Sequence, residues 1–103
     1  MLLTTSENIA GRQVVPLGVV TGSIVQSKHI GRDIMAGLKS IVGGEIRGYT
    51  ELLGEARSVA TARMTKEAER MGADAVICLR YISAAVMDGA CEVVAYGTAV
   101  RFA

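Results

Sequence analysis

The chain has 103 residues, half of them hydrophobic and a fifth charged, with a formal net charge of +1. Acids and bases are interspersed, so no basic block exists to neutralise a run of phosphates, which argues against nucleic acid as a partner. No segment approaches the ~20 consecutive apolar residues of a membrane span, which argues against a membrane partner as well.

The 12 glycines raise the apolar share above that of an average globular chain, about 45–50% with glycine counted. No composition shift divides the sequence, so residues 1–103 are read as one domain. A domain of this size has much surface for its volume, and its apolar excess is expected to find an outlet in self-association. The start, Met1-Leu2-Leu3-Thr4-Thr5-Ser6-Glu7, has neither the basic region nor the apolar stretch of a signal peptide, so a cytoplasmic location is expected. Cys78 and Cys91 are then expected as reduced thiols rather than a disulfide.

In chain order, a short strand is expected in Leu2 to Thr5, followed by a valine-rich strand from Gln13 to Val25. Pro16, Gly18 and Gly22 interrupt the second, which should be bent or lie at a sheet edge. Ile30, Ile34, Leu38 and Ile41 predict a short helix over Ile30 to Ile41, and Val42-Gly43-Gly44 ends it. From about Glu45 to Met71, Leu52, Leu53, Ala56, Val59, Ala60, Met64 and Ala68 recur at helical spacing and predict a long amphipathic helix. Arg63 and Glu67 are spaced to pair on its outer face, Gly54 weakens its middle, and Gly72 is a natural stop. Ala75 to Ser83 and Cys91 to Phe102 are β-rich, with Asp88-Gly89 as the hairpin signal between them.

The resulting order is β-β-α-α-β-β, an α+β two-layer fold with a small mixed sheet packed on the long helix. The strands before and after the helices are expected as parallel neighbours joined by a right-handed crossover, with the last strand added antiparallel. Along that last strand Cys91, Val93, Ala95, Gly97 and Ala99 alternate with Glu92, Val94, Tyr96, Thr98 and Val100. The smaller face should lie under the helix. The bulkier one, with no second helical layer, should need another subunit.

An ordered set of short strings spans nearly the whole chain: Gly18-Val19-Val20-Thr21-Gly22, Arg32-Asp33-Ile34, Val42-Gly43-Gly44-Glu45, Tyr49-Thr50, Ala56-Arg57, Gly72-Ala73-Asp74-Ala75-Val76 and Tyr96-Gly97-Thr98-Ala99-Val100. In this the sequence resembles the YbjQ-like family, described as heavy-metal-binding and of unknown function. The resemblance implies a dodecin-like subunit in an oligomeric ring, most simply a homopentamer. Family members usually carry asparagine near the position of His29, and no family metal motif maps onto Cys78 or Cys91, so the resemblance transfers no metal ligand.

A soft divalent metal would take thiolate and imidazole ligands, here Cys78, Cys91 and His29, with Met35, Met64, Met71 and Met87 as thioether donors. Their spacing matches no metal motif. A two-residue turn at Asp88-Gly89 would set Cys78 opposite Ala99 and Cys91 opposite Val86, with the thiols well apart. A symmetric ring could gather one ligand from each copy; the ordinary reading is two small hydrophobes and a surface histidine. A second, polar group comprises Arg32, Asp33, Glu45, Tyr49 and Arg57. It reads either as ion pairs and caps that hold a ring together or as an inter-subunit cleft for a small anionic ligand. Gly43-Gly44 and Gly97-Thr98 do not fit phosphate-loop patterns, and no catalytic triad is spaced recognisably. A binding protein is expected rather than an enzyme, with a small-ligand carrier as the alternative and an enzyme site shared between subunits less favoured.

Overall fold

The computed structural model describes residues 1–27, 41–42, 45–87 and 89–103, with residues 41–42 and 45–49 described by their backbone. The elements are β1 (Leu2–Leu3), β2 (Val14–Ser27), β3 (Ile41–Val42), β4 (Glu45–Ile46), α1 (Arg47–Arg70), β5 (Ala75–Met87) and β6 (Ala90–Phe102). One sheet has the order β1-β5-β6-β2, and β3 pairs with β4 in a separate two-stranded ladder. The α+β class and the mixed sheet under a long helix thus agree with the pattern of the sequence. The short helix expected over Ile30 to Ile41 lies outside the described residues except for Ile41, which stands in β3.

The strand order departs from expectation. β2 and β5 run parallel to each other but are not neighbours, because β6 lies between them and pairs antiparallel with both. Pro16 explains the choice: proline cannot donate to a ladder, so β2 takes an edge and the proline-free β6 takes the centre. The parallel neighbours are instead β1 and β5, in the register Leu2 opposite Ala75 and Leu3 opposite Val76. A register shift between Pro16 and Gly18 bends β2 where the sequence carries those two residues.

The helix lies close to the sheet because both surfaces are small where they meet. Ala56, Ala60, Met64 and Ala68, four residues apart, form a fully buried ridge, with Val20, Val93, Ala95 and Ala99 opposite. At the closest point a Cβ on Gly22 would stand 2.2 Å from the Ala60 carbonyl oxygen and 2.3 Å from the Met64 nitrogen. The small face of β6 therefore does lie under the helix. At the C-terminal end of α1, the Ala73 and Gly72 amides donate to the Ala68 and Glu69 carbonyls, a Schellman cap with Gly72 at φ 79°.

On the outer face of α1 the expected Arg63–Glu67 pair does not form. Glu67 bonds Arg70 instead, while Arg63 Nη1 donates to the Ser23 carbonyl at 2.7 Å. As an edge strand, β2 has carbonyls with no ladder partner on its outer side, and Arg63 takes one.

Candidate functional site

The two cysteines occupy different kinds of backbone. The hairpin register begins with Met87 opposite Ala90, then shifts so that Cys91 faces Ala85; it shifts again between Ile77 and Arg80. The expected partners, Val86 for Cys91 and Ala99 for Cys78, are therefore corrected by two bulges. At the second, Cys78 and Leu79 stand against the single residue Gly97, and Cys78 takes φ 55°. Gly97 is required there, since a Cβ would come within 2.7 Å of Val76 Cγ1 and 2.9 Å of the Ile77 oxygen.

The bulge turns two amides outward to the N-terminal segment. The Cys78 amide donates to the Ser6 oxygen at 3.1 Å and the Leu79 amide to the Thr4 oxygen at 3.0 Å. Arg80 Nη1 adds a bond to the Thr5 oxygen at 3.0 Å. The Cys78 thiol, half-buried, lies 3.9 Å from the Ser6 oxygen. All of these contacts secure the start of the chain against the edge of β5.

Cys91 lies elsewhere. With a strand rise of about 3.3 Å per residue, Cys78 and Ala85, the partner of Cys91, are roughly 20 Å apart along β5, so the two thiols cannot share a metal within one subunit. Cys91 is half-buried on the helix-facing side of β6 and lines a cleft of about 350 Å³ between Leu53 of α1 and the hairpin end, where Met87 also stands. Its cross-strand partner on β2 is Gln26. Gln26 Nε2 donates to Glu55 Oε2 at 3.3 Å, while Gln26 Oε1 is buried and has no hydrogen-bond partner among the described residues. A carboxylate only accepts, so Glu55 fixes the amide orientation and leaves the oxygen as the orphaned atom. Among the described residues, no three of His, Cys, Asp and Glu gather as a metal-binding group. Neither Gln26 nor Glu55 is among the residues that line the cleft at Cys91.

Of the sequence-derived candidates, His29, Arg32 and Asp33 lie outside the described residues. Glu45 stands in β4 opposite Val42, ahead of the helix rather than within its first turn, and Tyr49 is in that first turn. Arg57 is exposed and has no ion-pair partner among the described residues. At about 1.5 Å per residue it lies roughly 15 Å along the axis from Arg47. It borders an open groove with Gly54, Ser58, Thr61 and Tyr81, in which Thr61 Oγ1 donates to the Arg57 oxygen at 2.6 Å and contacts Tyr81 Oη at 2.7 Å.

The sequence reading passed over Gln26 and Glu55. The available signal was parity: Val20, Gly22, Ile24 and Gln26 alternate along one strand, so the polar last member shares the buried face of the other three.

The whole chain, residues 1–103, matches the YbjQ family, described as "putative heavy-metal-binding". The chain belongs to this family. Its relatives include UPF0145 proteins of Shewanella frigidimarina, 60% identical over 98% of this chain and 95% of the relative, and of Vibrio campbellii, 57% identical over 98% of each. A UPF0145 protein of Thermotoga maritima is 58% identical over 98% of this chain and 96% of its own length. Among solved structures, a protein of unknown function from Pediococcus pentosaceus superposes with a TM-score of 0.67 at 19% identity, covering 100% of this chain and 98% of its own. At that identity the likeness concerns the fold. The YbjQ family is uncharacterised in its activity, and its description is the one pointer to metal. No helix of the described residues is long and apolar enough to cross a membrane.

Proposed function

We propose that this YbjQ-family chain is a homo-oligomeric binding protein, not an enzyme, in which copies associate through the open face of the sheet and each subunit holds a heavy-metal ion. The observation that carries the assembly is the sheet face turned away from α1. Val19 is 74% exposed, Val25 58% and Ile82 56%, and register sets them beside Val94 and Tyr96 on that one face. Side chains of this size left in water across three strands form the kind of patch that protein interfaces cover.

A second copy is favoured as the occupant because the face offers opposite charges at its two ends. Arg80 lies opposite Tyr96, and Glu92 lies opposite Ala84 and Val25. Two copies meeting on this face can set Arg80 of one near Glu92 of the other, which selects an orientation. Five copies follow the family resemblance, and a cytoplasmic setting suits two reduced thiols.

Native mass spectrometry of untagged protein, with elemental analysis of the same sample, tests both parts. A pentamer carrying one metal per subunit is expected. A monomer would sink the assembly, and a metal-free protein that takes up none on titration would sink the binding role. The Arg57–Tyr81 groove supports a second reading, a carrier of a small anionic ligand, which would appear as a retained non-covalent mass.

A further inference from the structure

We propose that the groove between α1 and Tyr81 is a site for inorganic phosphate, held by the Arg57 guanidinium and the Ser58 hydroxyl and selected through the Tyr81 oxygen. The proposal rests on the small-anion reading above and is independent of metal and of assembly.

Of the α1 arginines with described side chains, Arg63 donates to the Ser23 carbonyl and Arg70 pairs with Glu67, whereas Arg57 has no ion-pair partner among the described residues. Spacing accounts for the difference. Helical neighbours lie three and four residues away, and for Arg57 those are Leu53, Gly54, Ala60 and Thr61, none of them acidic. The groove it borders, about 630 Å³ and open to solvent, is lined by Gly54, Arg57, Ser58, Thr61, Ala62 and Tyr81. One guanidinium and three hydroxyls line it without a carboxylate, a composition that suits an anion and offers a cation little.

Gly54 keeps the place beside the guanidinium open. Glycine in a helix interior is destabilising relative to alanine. Unlike Gly22, this one is not forced by packing: the nearest atom to a Cβ built on it is Arg57 Nη2, 4.0 Å away. The missing side chain leaves room next to the guanidinium, where a ligand oxygen can reach it.

The hydroxyls have a fixed order. A carbonyl oxygen only accepts, so Thr61 commits its single hydrogen to the Arg57 oxygen at 2.6 Å. Its 2.7 Å contact with Tyr81 Oη is then a bond that Tyr81 donates. The phenol oxygen keeps lone pairs and has no hydrogen left for a ligand. Beside two donors, Arg57 and Ser58, the groove therefore presents one acceptor. An anion that satisfies all three has oxygens that accept and a hydroxyl that donates. Inorganic phosphate near neutral pH has both, whereas sulfate has the same tetrahedral shape and no hydrogen to give. A phosphate monoester loses its last hydrogen above pH about 6, so at neutral pH the free ion is favoured.

Calorimetry at low salt, where screening is weak, measures phosphate and sulfate binding to the wild type, Arg57→Gln and Tyr81→Phe. The wild type should bind phosphate at least about fivefold more tightly than sulfate, because a site with an acceptor to fill rejects the analogue without the hydrogen. Arg57→Gln should weaken both ions at least about tenfold. Tyr81→Phe should retain sulfate binding and erase the preference. Circular dichroism checks that both variants fold, and Arg57→Gln, a change at an exposed side chain, keeps the test decisive by itself. Phosphate binding that survives Arg57→Gln, or a preference that survives Tyr81→Phe, overturns the site. Failure of the wild type to bind either ion removes phosphate as the ligand; if native mass spectrometry also shows no retained anion, the carrier reading falls with it.

Discussion

At the scale of single residues, backbone demands outweigh side-chain chemistry. Gly97 and Gly22 are present because nothing larger fits: one faces the bulge of β5, the other carries α1 directly on its backbone. Gly97→Ala is expected to lower stability by about 1–3 kcal/mol, and Gly22→Ala by more, because there the clash is with helix backbone that cannot rotate away. Urea denaturation measures both, and an unchanged midpoint in Gly22→Ala would contradict the close helix–sheet contact. Cys78 has the opposite sign. Its φ of 55° is a conformation that costs a residue with a Cβ about 1–2 kcal/mol and glycine little. Cys78→Gly should therefore raise the urea midpoint, by up to about 1 kcal/mol once the greater freedom of glycine in the unfolded chain is deducted. The glycines were visible in the sequence, but the bulge was not: Gly97 stood as one small residue of an alternating strand, and its role depends on an extra residue in the neighbouring strand with no sequence mark of its own.

At the scale of elements, α1 is held by one small, deep ridge and a few specific surface bonds. Its periodicity predicted it from about Glu45 to Met71, and it runs from Arg47 to Arg70. The start is later because Glu45 and Ile46 pair back on Ile41 and Val42. Two arginines on its surface separate contacts that matter from those that do not. Arg63 reaches a carbonyl of the sheet edge forty residues away in sequence, whereas Arg70 reaches a neighbour one turn back. The Arg70 guanidinium has its pKa raised by hydrogen bonding and charge attraction from Glu67, but it is fully exposed and screened by water. Arg63→Ala should cost about 0.5–1.5 kcal/mol, while Arg70→Ala should leave the thermal midpoint unchanged. Equal losses in the two variants would mean that the bond to Ser23 anchors nothing.

At the scale of the whole molecule, the one helix among the described residues covers one face of the four-stranded sheet, and the other face carries the exposed Val19, Val25 and Ile82. The alternation in β6 pointed to this directly, since a two-layer arrangement can cover only one of the two faces. Placing an aspartate at Val19 or Ile82 is expected to convert the proposed oligomer to monomers, read by native mass spectrometry, with the fold of each subunit intact by circular dichroism. These side chains touch nothing in their own subunit's core, so an oligomer indifferent to both charges would place the interface elsewhere.

The sequence by itself determined the long helix, the long strands and which of their faces are apolar, because helical and strand periods are local properties of the chain. It also marked the break in β2 and the end of α1, where proline and glycine act on their own backbone. The tertiary structure alone decided the strand order, the two bulges and the contact of Gln26 with Glu55. A one-residue shift in pairing changes every partner along a strand while leaving its pattern of residues untouched. Cys78 and Cys91, alike in sequence as two lone thiols, thereby became a backbone pivot under the N-terminal segment and a half-buried thiol lining a cleft at the hairpin end.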